Sequence, residues 1–91
     1  MQFDWDPAKN QENIKKHKID FADAKSVFLD ESAQIIDDPD HSDDEDGFII
    51  IGMDHRFRTL IVCHCYRDNY DVIQLISARK AAKKEAKGLE A

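Results

Sequence analysis

Residues 58–66 read Arg-Thr-Leu-Ile-Val-Cys-His-Cys-Tyr, and this stretch decides the fold. Leu60, Ile61, Val62, Cys63 and Cys65 leave neither face of the segment polar. A short run that is apolar on both faces is a strand in the middle of a sheet. Before it, across a turn at 54–57, lies Phe48 to Met53 (FIIIGM). After it, across a turn at 67–70, lies Asp71 to Ser77 (DVIQLIS). Three strands joined by short turns form an antiparallel meander.

Further upstream, residues 33–37 (AQIID) read as another strand and Gln2 to Trp5 as a short first one. Between those two the periodicity changes to helical. Asp6-Pro7 reads as N-cap and first helical residue, because the carboxylate accepts orphan N–H groups and proline presets φ where its missing donor does no harm. The first helix, about 7–18, is weakly amphipathic, with Ile14 and His17 on one face and Lys9, Lys15, Lys16 and Lys18 towards water. Asp20 caps a second helix, about 21–29, with one apolar stripe: Phe21, Ala24, Val27 and Phe28. A linker of two or three residues makes the pair a helical hairpin. Ala78 to about Gly88 reads as a last helix, basic on one side and mostly alanine on the other. It is expected to dock loosely, since alanine buries little area. The expectation is an α+β domain over residues 1–91: a meander packed against an N-terminal helical hairpin, with a basic C-terminal helix.

The chain has 91 residues, 42% hydrophobic and 35% charged, which suits one globular domain, excludes collagen-like and low-complexity chains and argues against global disorder. No apolar run approaches the ~18–20 residues of a membrane span. The acidic opening MQFDWD gives no sign of a leader peptide, so a cytoplasmic protein without membrane contact is expected. The cysteines, Cys63 and Cys65, sit two apart on one strand, too far along it to converge, and read as reduced thiols.

The net charge of −6 is unevenly spread. Residues 1–46 hold fourteen acids and five bases; residues 47–91 hold five acids and eight bases. The acids concentrate in a loop at 38–46, DPDHSDDED. Ser42, Asp44, Asp46 and Gly47 loosely match the start of an EF-hand loop, but the position that should carry a bidentate Glu is Met53. Cys63-His64-Cys65 resembles a metal triplet, yet on a strand the cysteines point one way and the histidine the other. No metal and no cofactor is expected: zinc-type spacing and glycine-rich nucleotide loops are both missing from the sequence. The basic signal is Arg56, Arg58, Arg79 and Lys80, continued by Lys83, Lys84 and Lys87. Such a patch either binds phosphate or is a solvated helix face.

Taken together, the pieces resemble the BrnT family of type II toxins. The resemblance rests on Phe3-Asp4-Trp5-Asp6 with Lys9, Asn13-Ile14-Lys15-Lys16-His17, and Phe21, Ala24 and Val27-Phe28. It continues through Asp40-His41-Ser42, Ile51-Gly52-Met53 and Leu60-Ile61-Val62-Cys63-His64. The most specific motif is Ile76-Ser77-Ala78-Arg79-Lys80-Ala81, followed by Glu85. The chain departs from the family pattern at Gly47, Gln74, Ala82 and Leu89.

The resemblance implies a RelE-like fold and a growth-arresting ribonuclease. It also implies a BrnA-type antitoxin, a heterotetrameric complex with it, and operator DNA contacted only through that antitoxin. It further implies metal-independent cleavage of RNA by 2′-OH attack on the adjacent phosphate. On that reading Arg79 and Arg58 stabilise the charged transition state, His64 acts as acid or base, and His17 is a further acid–base candidate. Lys16, Arg56, Lys80, Lys83, Lys84 and Lys87 contact RNA. Two other readings stay open: a catalytically weakened toxin that still binds its antitoxin, and a non-enzymatic nucleic-acid-binding module.

Overall fold

A computed structural model describes residues 1–37 and 47–84. The elements run β1 (Gln2–Asp4), α1 (Pro7–His17), α2 (Phe21–Ala24), a 3₁₀ turn (Lys25–Leu29), β2 (Gln34–Asp37), β3 (Phe48–Met53), β4 (Thr59–Arg67) and β5 (Val72–Lys80). The five strands form one mixed sheet in the order β1-β5-β4-β3-β2. β4 is central, as its apolar pattern requires, and the β3-β4-β5 meander is antiparallel. The first strand joins the far side of β5 in parallel, pairing Gln2 with Val72 and Asp4 with Gln74.

Both helix starts follow local chemistry. Asp6 Oδ1 accepts from Ala8 N at 2.9 Å with Pro7 in the first turn, and Asp20 Oδ1 accepts from Ala22 N at 2.9 Å. Lys18 ends α1 in the left-handed region (φ 60°), its N–H donating to the Ile14 carbonyl. The second helix is shorter than its stripe suggests: the α-helical part stops at Ala24 and a 3₁₀ turn carries the chain to Leu29. The stripe is nonetheless buried, fully at Phe21, Ala24 and Val27 and partly at Phe28. Phe21, Ala24 and Val27 pack with Ile19 against Ile50, Leu60, Val62, Ile73, Leu75 and Ala78, which together form the core between helices and sheet.

The expected helix start at Ala78 is corrected: β5 continues to Lys80, and a helical turn begins only at Lys83. Ala78, Arg79 and Lys80 pair with Val62, Ile61 and Leu60 of β4, so the neighbouring strand overrides the helical propensity of this alanine- and lysine-rich segment. Lys87, the rest of the expected helix and the 38–46 loop lie outside the described residues.

One irregularity decides which way the end of β5 faces. Cys63 pairs with Ser77 but His64 with Leu75, so Ile76 is an extra residue, a β-bulge. Strict alternation from Ile73 and Leu75 would turn Arg79 into the core. The bulge shifts the phase by one. Ala78 faces inward and is fully buried, while Ser77 and Arg79 project from the opposite face.

Candidate functional site

The site begins with a polar residue in the core. β1 covers β5 only as far as Gln74, and among the described residues no strand pairs with that edge at Ile76–Ala78. Asn13 of α1 fills that place. Its Nδ2 donates to the Ala78 carbonyl at 2.8 Å and to the Ile19 carbonyl at 2.9 Å, while its Oδ1 accepts from Ala78 N at 3.0 Å. Asn10, one turn earlier, accepts from Phe21 N at 2.9 Å and donates to Asp20 Oδ1 at 3.1 Å. The two buried amides fix α1 against β5 and against the start of α2.

Beside this seam lies a cleft of about 230 Å³, lined by Lys9, Glu12, Lys16 and His17 of α1 and by Ile76 and Ser77 of β5. Lys9, Glu12 and Lys16 recur at steps of three and four residues, which places them on one side of the helix, and His17 follows directly. Arg79 lies two residues beyond Ser77 on the same face of β5, roughly 7 Å along the strand. The bulge at Ile76 and the Asn13 clasp thus bring two ammonium groups, an imidazole, a carboxylate and a hydroxyl to one edge of the sheet, with Arg79 two residues further along β5. Phosphate matches that cationic set, and Glu12 and His17 can exchange protons with a bound group.

Other residues expected at the site lie elsewhere. Arg58 sits at the β3–β4 turn, where its Nε and NH2 donate to Asp54 Oδ2 at 3.0 and 2.7 Å, with Asp23 Oδ2 at 3.5 Å. Asp54 also accepts from the N–H groups of Arg56 and Arg58 at 3.1 and 2.8 Å. Burial pushes the Asp54 carboxyl up, but Arg58 and these N–H groups outweigh it and hold the group below its ordinary 3.8. Arg56 approaches Asp23 at 3.9 Å, and His55 Nε2 lies 2.6 Å from Asp23 Oδ1. Arg58 therefore clamps a turn.

His64 is fully buried among Phe28, Phe48 and Tyr66, with ring centroids 4.8, 6.1 and 5.3 Å away. Its Nδ1 donates to the Val62 carbonyl at 3.1 Å, which leaves Nε2 to accept from the Tyr66 hydroxyl at 3.3 Å. Burial lowers its pKa below 6.5, so the neutral ring is favoured. Arg58 and His64 stand about 20 Å apart along the chain of β4, and Arg79 faces the other side of the sheet. Lys80 is exposed at the last position of β5, and Lys83 and Lys84 are exposed beyond it.

Sequence reading missed Lys9, Glu12 and Ser77 as site residues. A signal for the first two was present, since Lys9, Glu12 and Lys16 follow helical spacing with His17 beside them. Ser77 depends on the bulge, which no local pattern announces. Among the described residues, no group of three His, Cys, Asp or Glu side chains has an arrangement able to hold a metal ion, and no helix is long and apolar enough to cross a membrane.

The comparisons agree with this architecture. No curated protein matches the chain by sequence. In the solved structures, the chain is similar to the Brucella abortus ribonuclease toxin BrnT, with a TM-score of 0.69 and 27% identity over 91% of this chain and 99% of that one. Residues 5–85 match the family model described as the ribonuclease toxin, BrnT, of a type II toxin–antitoxin system. That match takes in α1, the whole meander and the Ile76–Ala81 motif, and the chain belongs to the BrnT family of ribonuclease toxins.

Proposed function

We propose that this protein is an endoribonuclease toxin that works in the cytoplasm, cleaves RNA without a metal ion and is neutralised by a BrnA-type antitoxin. The observation that carries the reading is the cleft between α1 and the edge of β5, where Lys9, Lys16 and His17 meet Ser77 beside Arg79. In this reading the RNA 2′-oxygen attacks the adjacent phosphorus and gives up its proton, with Glu12 as the acceptor. The bond from phosphorus to the 5′-oxygen breaks, and His17 protonates the departing oxygen. Arg79, with Lys9 and Lys16, neutralises the charge that builds on the phosphorane. One such electrostatic contact is worth about 3–4 kcal/mol of barrier. Lys80, Lys83, Lys84 and Lys87 attract the strand, and Arg56 contributes from the β3–β4 turn. Arg58 and His64 support the fold in this scheme and do not touch substrate, because one is held by Asp54 and the other is sealed in the core.

The antitoxin neutralises the enzyme by covering the cleft. The complex is a heterotetramer that represses its own operon, with operator DNA contacted through the antitoxin alone. RelE-like architecture is the wider comparison consistent with a small sheet carrying basic residues at its edge.

The test is cleavage of a defined transcript by purified protein in EDTA. Fragments carrying 2′,3′-cyclic phosphate and 5′-hydroxyl ends are expected, and Arg79→Ala removes them while leaving the melting curve in place. Activity lost in EDTA and restored by a divalent ion would refute the metal-free scheme. RNA binding without cleavage would favour a weakened toxin.

A further inference from the structure

The β4–β5 hairpin, at the opposite end of β5 from Arg79, carries a feature that neither the core nor the cleft requires. Three consecutive non-glycine residues, Asp68, Asn69 and Tyr70, occupy the left-handed region with φ of 49°, 54° and 71°. Asp and Asn take that region readily in a hairpin turn, but the bulky Tyr70 is an outlier there, and such outliers gather where a site needs a fixed geometry. Here the result is a tyrosine held out in solvent, 68% exposed. Its ring lies 5.0 Å from that of Tyr66, tilted by 48°. Tyr66 is itself fixed. Phe48 packs edge-on at 5.2 Å, and the buried His64 accepts from its hydroxyl.

Below the rings is a cavity of about 320 Å³, lined by Phe48, Tyr66 and Tyr70 together with Arg67, Asp68 and Asn69. That volume is at the lower end of the ~300–1,000 Å³ typical of small-ligand clefts. Arg67 is oriented by its Nε donation to Gln74 Oε1 at 2.8 Å. The charges of Arg67 and Asp68 balance, so the pocket is not built for a bare phosphate. It offers a flat aromatic face with an amide and a guanidinium at its rim. That is the chemistry that holds an unstacked base, by stacking on the ring and hydrogen bonding along the base edge.

We infer that the β4–β5 hairpin binds one unpaired nucleobase of an RNA strand, stacked on Tyr70 and hydrogen-bonded by Asn69 and Arg67. The inference rests on the ribonuclease reading of the cleft and adds a second contact, about 30 Å from Arg79 along β5. Such a contact selects single-stranded RNA, because a paired base presents no free face.

The test uses the full chain and a 2′-O-methyl RNA of about 12 unpaired nucleotides, which cannot be cleaved, so that binding is read apart from catalysis. Amide shifts are recorded, and affinity is measured across a salt series. Shifts at residues 66–70 are expected. Tyr70→Ala should weaken binding about tenfold or more with the salt dependence unchanged, and Tyr70→Phe should bind like the native protein. Arg79→Ala should instead flatten the salt dependence. Shifts confined to α1 and Ser77, with Tyr70→Ala binding normally, would overturn the hairpin site and leave the cleft standing. An RNA that moves neither region would overturn both. Hairpin shifts produced by the antitoxin but not by RNA would assign the surface to protein contact and also overturn the inference.

Discussion

Asn13 bonds to both the N–H and the carbonyl of Ala78, so one helix side chain does the work of a neighbouring strand. The amide has both groups an edge residue needs, a donor and an acceptor held about as far apart as those of a peptide unit. With the third bond, to Ile19, both of its amide protons are used.

Asn13→Ala is therefore expected to cost about 2–4 kcal/mol, since it strands two buried backbone carbonyls and an N–H. Asn13→Asp should cost a similar amount, because a carboxylate accepts from Ala78 N but donates to neither carbonyl. Chemical denaturation measures both. RNA cleavage by either variant, assayed well below its melting temperature, should fall as α1 loosens from the edge of β5. Full stability in Asn13→Asp would show that the two carbonyl bonds contribute little.

Gly52 is the second close approach. A Cβ there would lie 2.7 Å from Ala33 Cβ, 3.0 Å from Asp30 Oδ2 and 3.1 Å from Val27 Cγ1. Asp30 cannot simply swing away, because its Oδ2 accepts from Met53 N at 2.8 Å. Gly52→Ala should lower stability by about 1–3 kcal/mol through overpacking, read as a drop in melting temperature with cleavage unaffected at low temperature.

Asp54 holds the β3–β4 turn by four hydrogen bonds, two of them to the Arg58 guanidinium, whose side chain is 20% exposed. Asp54→Ala leaves that charge with Asp23 alone as a close counter-ion. A loss of about 2–3 kcal/mol is expected. Arg58→Ala should destabilise comparably, while Arg79→Ala should not. That contrast, measured by melting, separates the arginine that builds the turn from the one proposed to act on RNA.

His64 predicts an acid-side loss of stability. Burial lowers its folded pKa beneath the ordinary 6.5. The unfolded chain therefore takes up a proton as pH falls below about 6.5, while the folded chain resists it. The contribution is complete above that pH and declines towards the lowered folded value. Melting temperature should fall between pH 7 and 5, and His64→Leu should flatten that slope. A second decline belongs below 3.8, where Asp30 and Asp54 have lowered values. Asp30 is held down by the N–H groups of Met53 and Ser32. A slope unchanged in His64→Leu would assign the upper decline to another group.

The sheet was largely legible because its signals are local. The β3 and β4 segments are apolar runs bounded by turns, and Asp6-Pro7 and Asp20 announce the helix starts. The end of β5 was not legible, because Ala78-Arg79-Lys80 has helical propensity and becomes strand only through pairing with β4. The site divides in the same way. Lys16, His17 and Arg79 could be named from residue type and motif. The separation of Arg58 and His64 from Arg79 could not, since it follows from a bulge, a buried aspartate and an aromatic cage formed by segments distant in sequence.

The bulge at Ile76 makes the count of residues between Leu75 and Arg79 matter as much as their identity. Point changes at Ile76 alter one half-buried side chain. Removing that residue would exchange inside for outside over everything that follows in β5, pressing a guanidinium into the core and turning Ala78 to water. Position 76 should therefore accept many substitutions, while the stretch around it accepts very few insertions or deletions. A chain shortened there would lose its fold and its proposed RNA contact together.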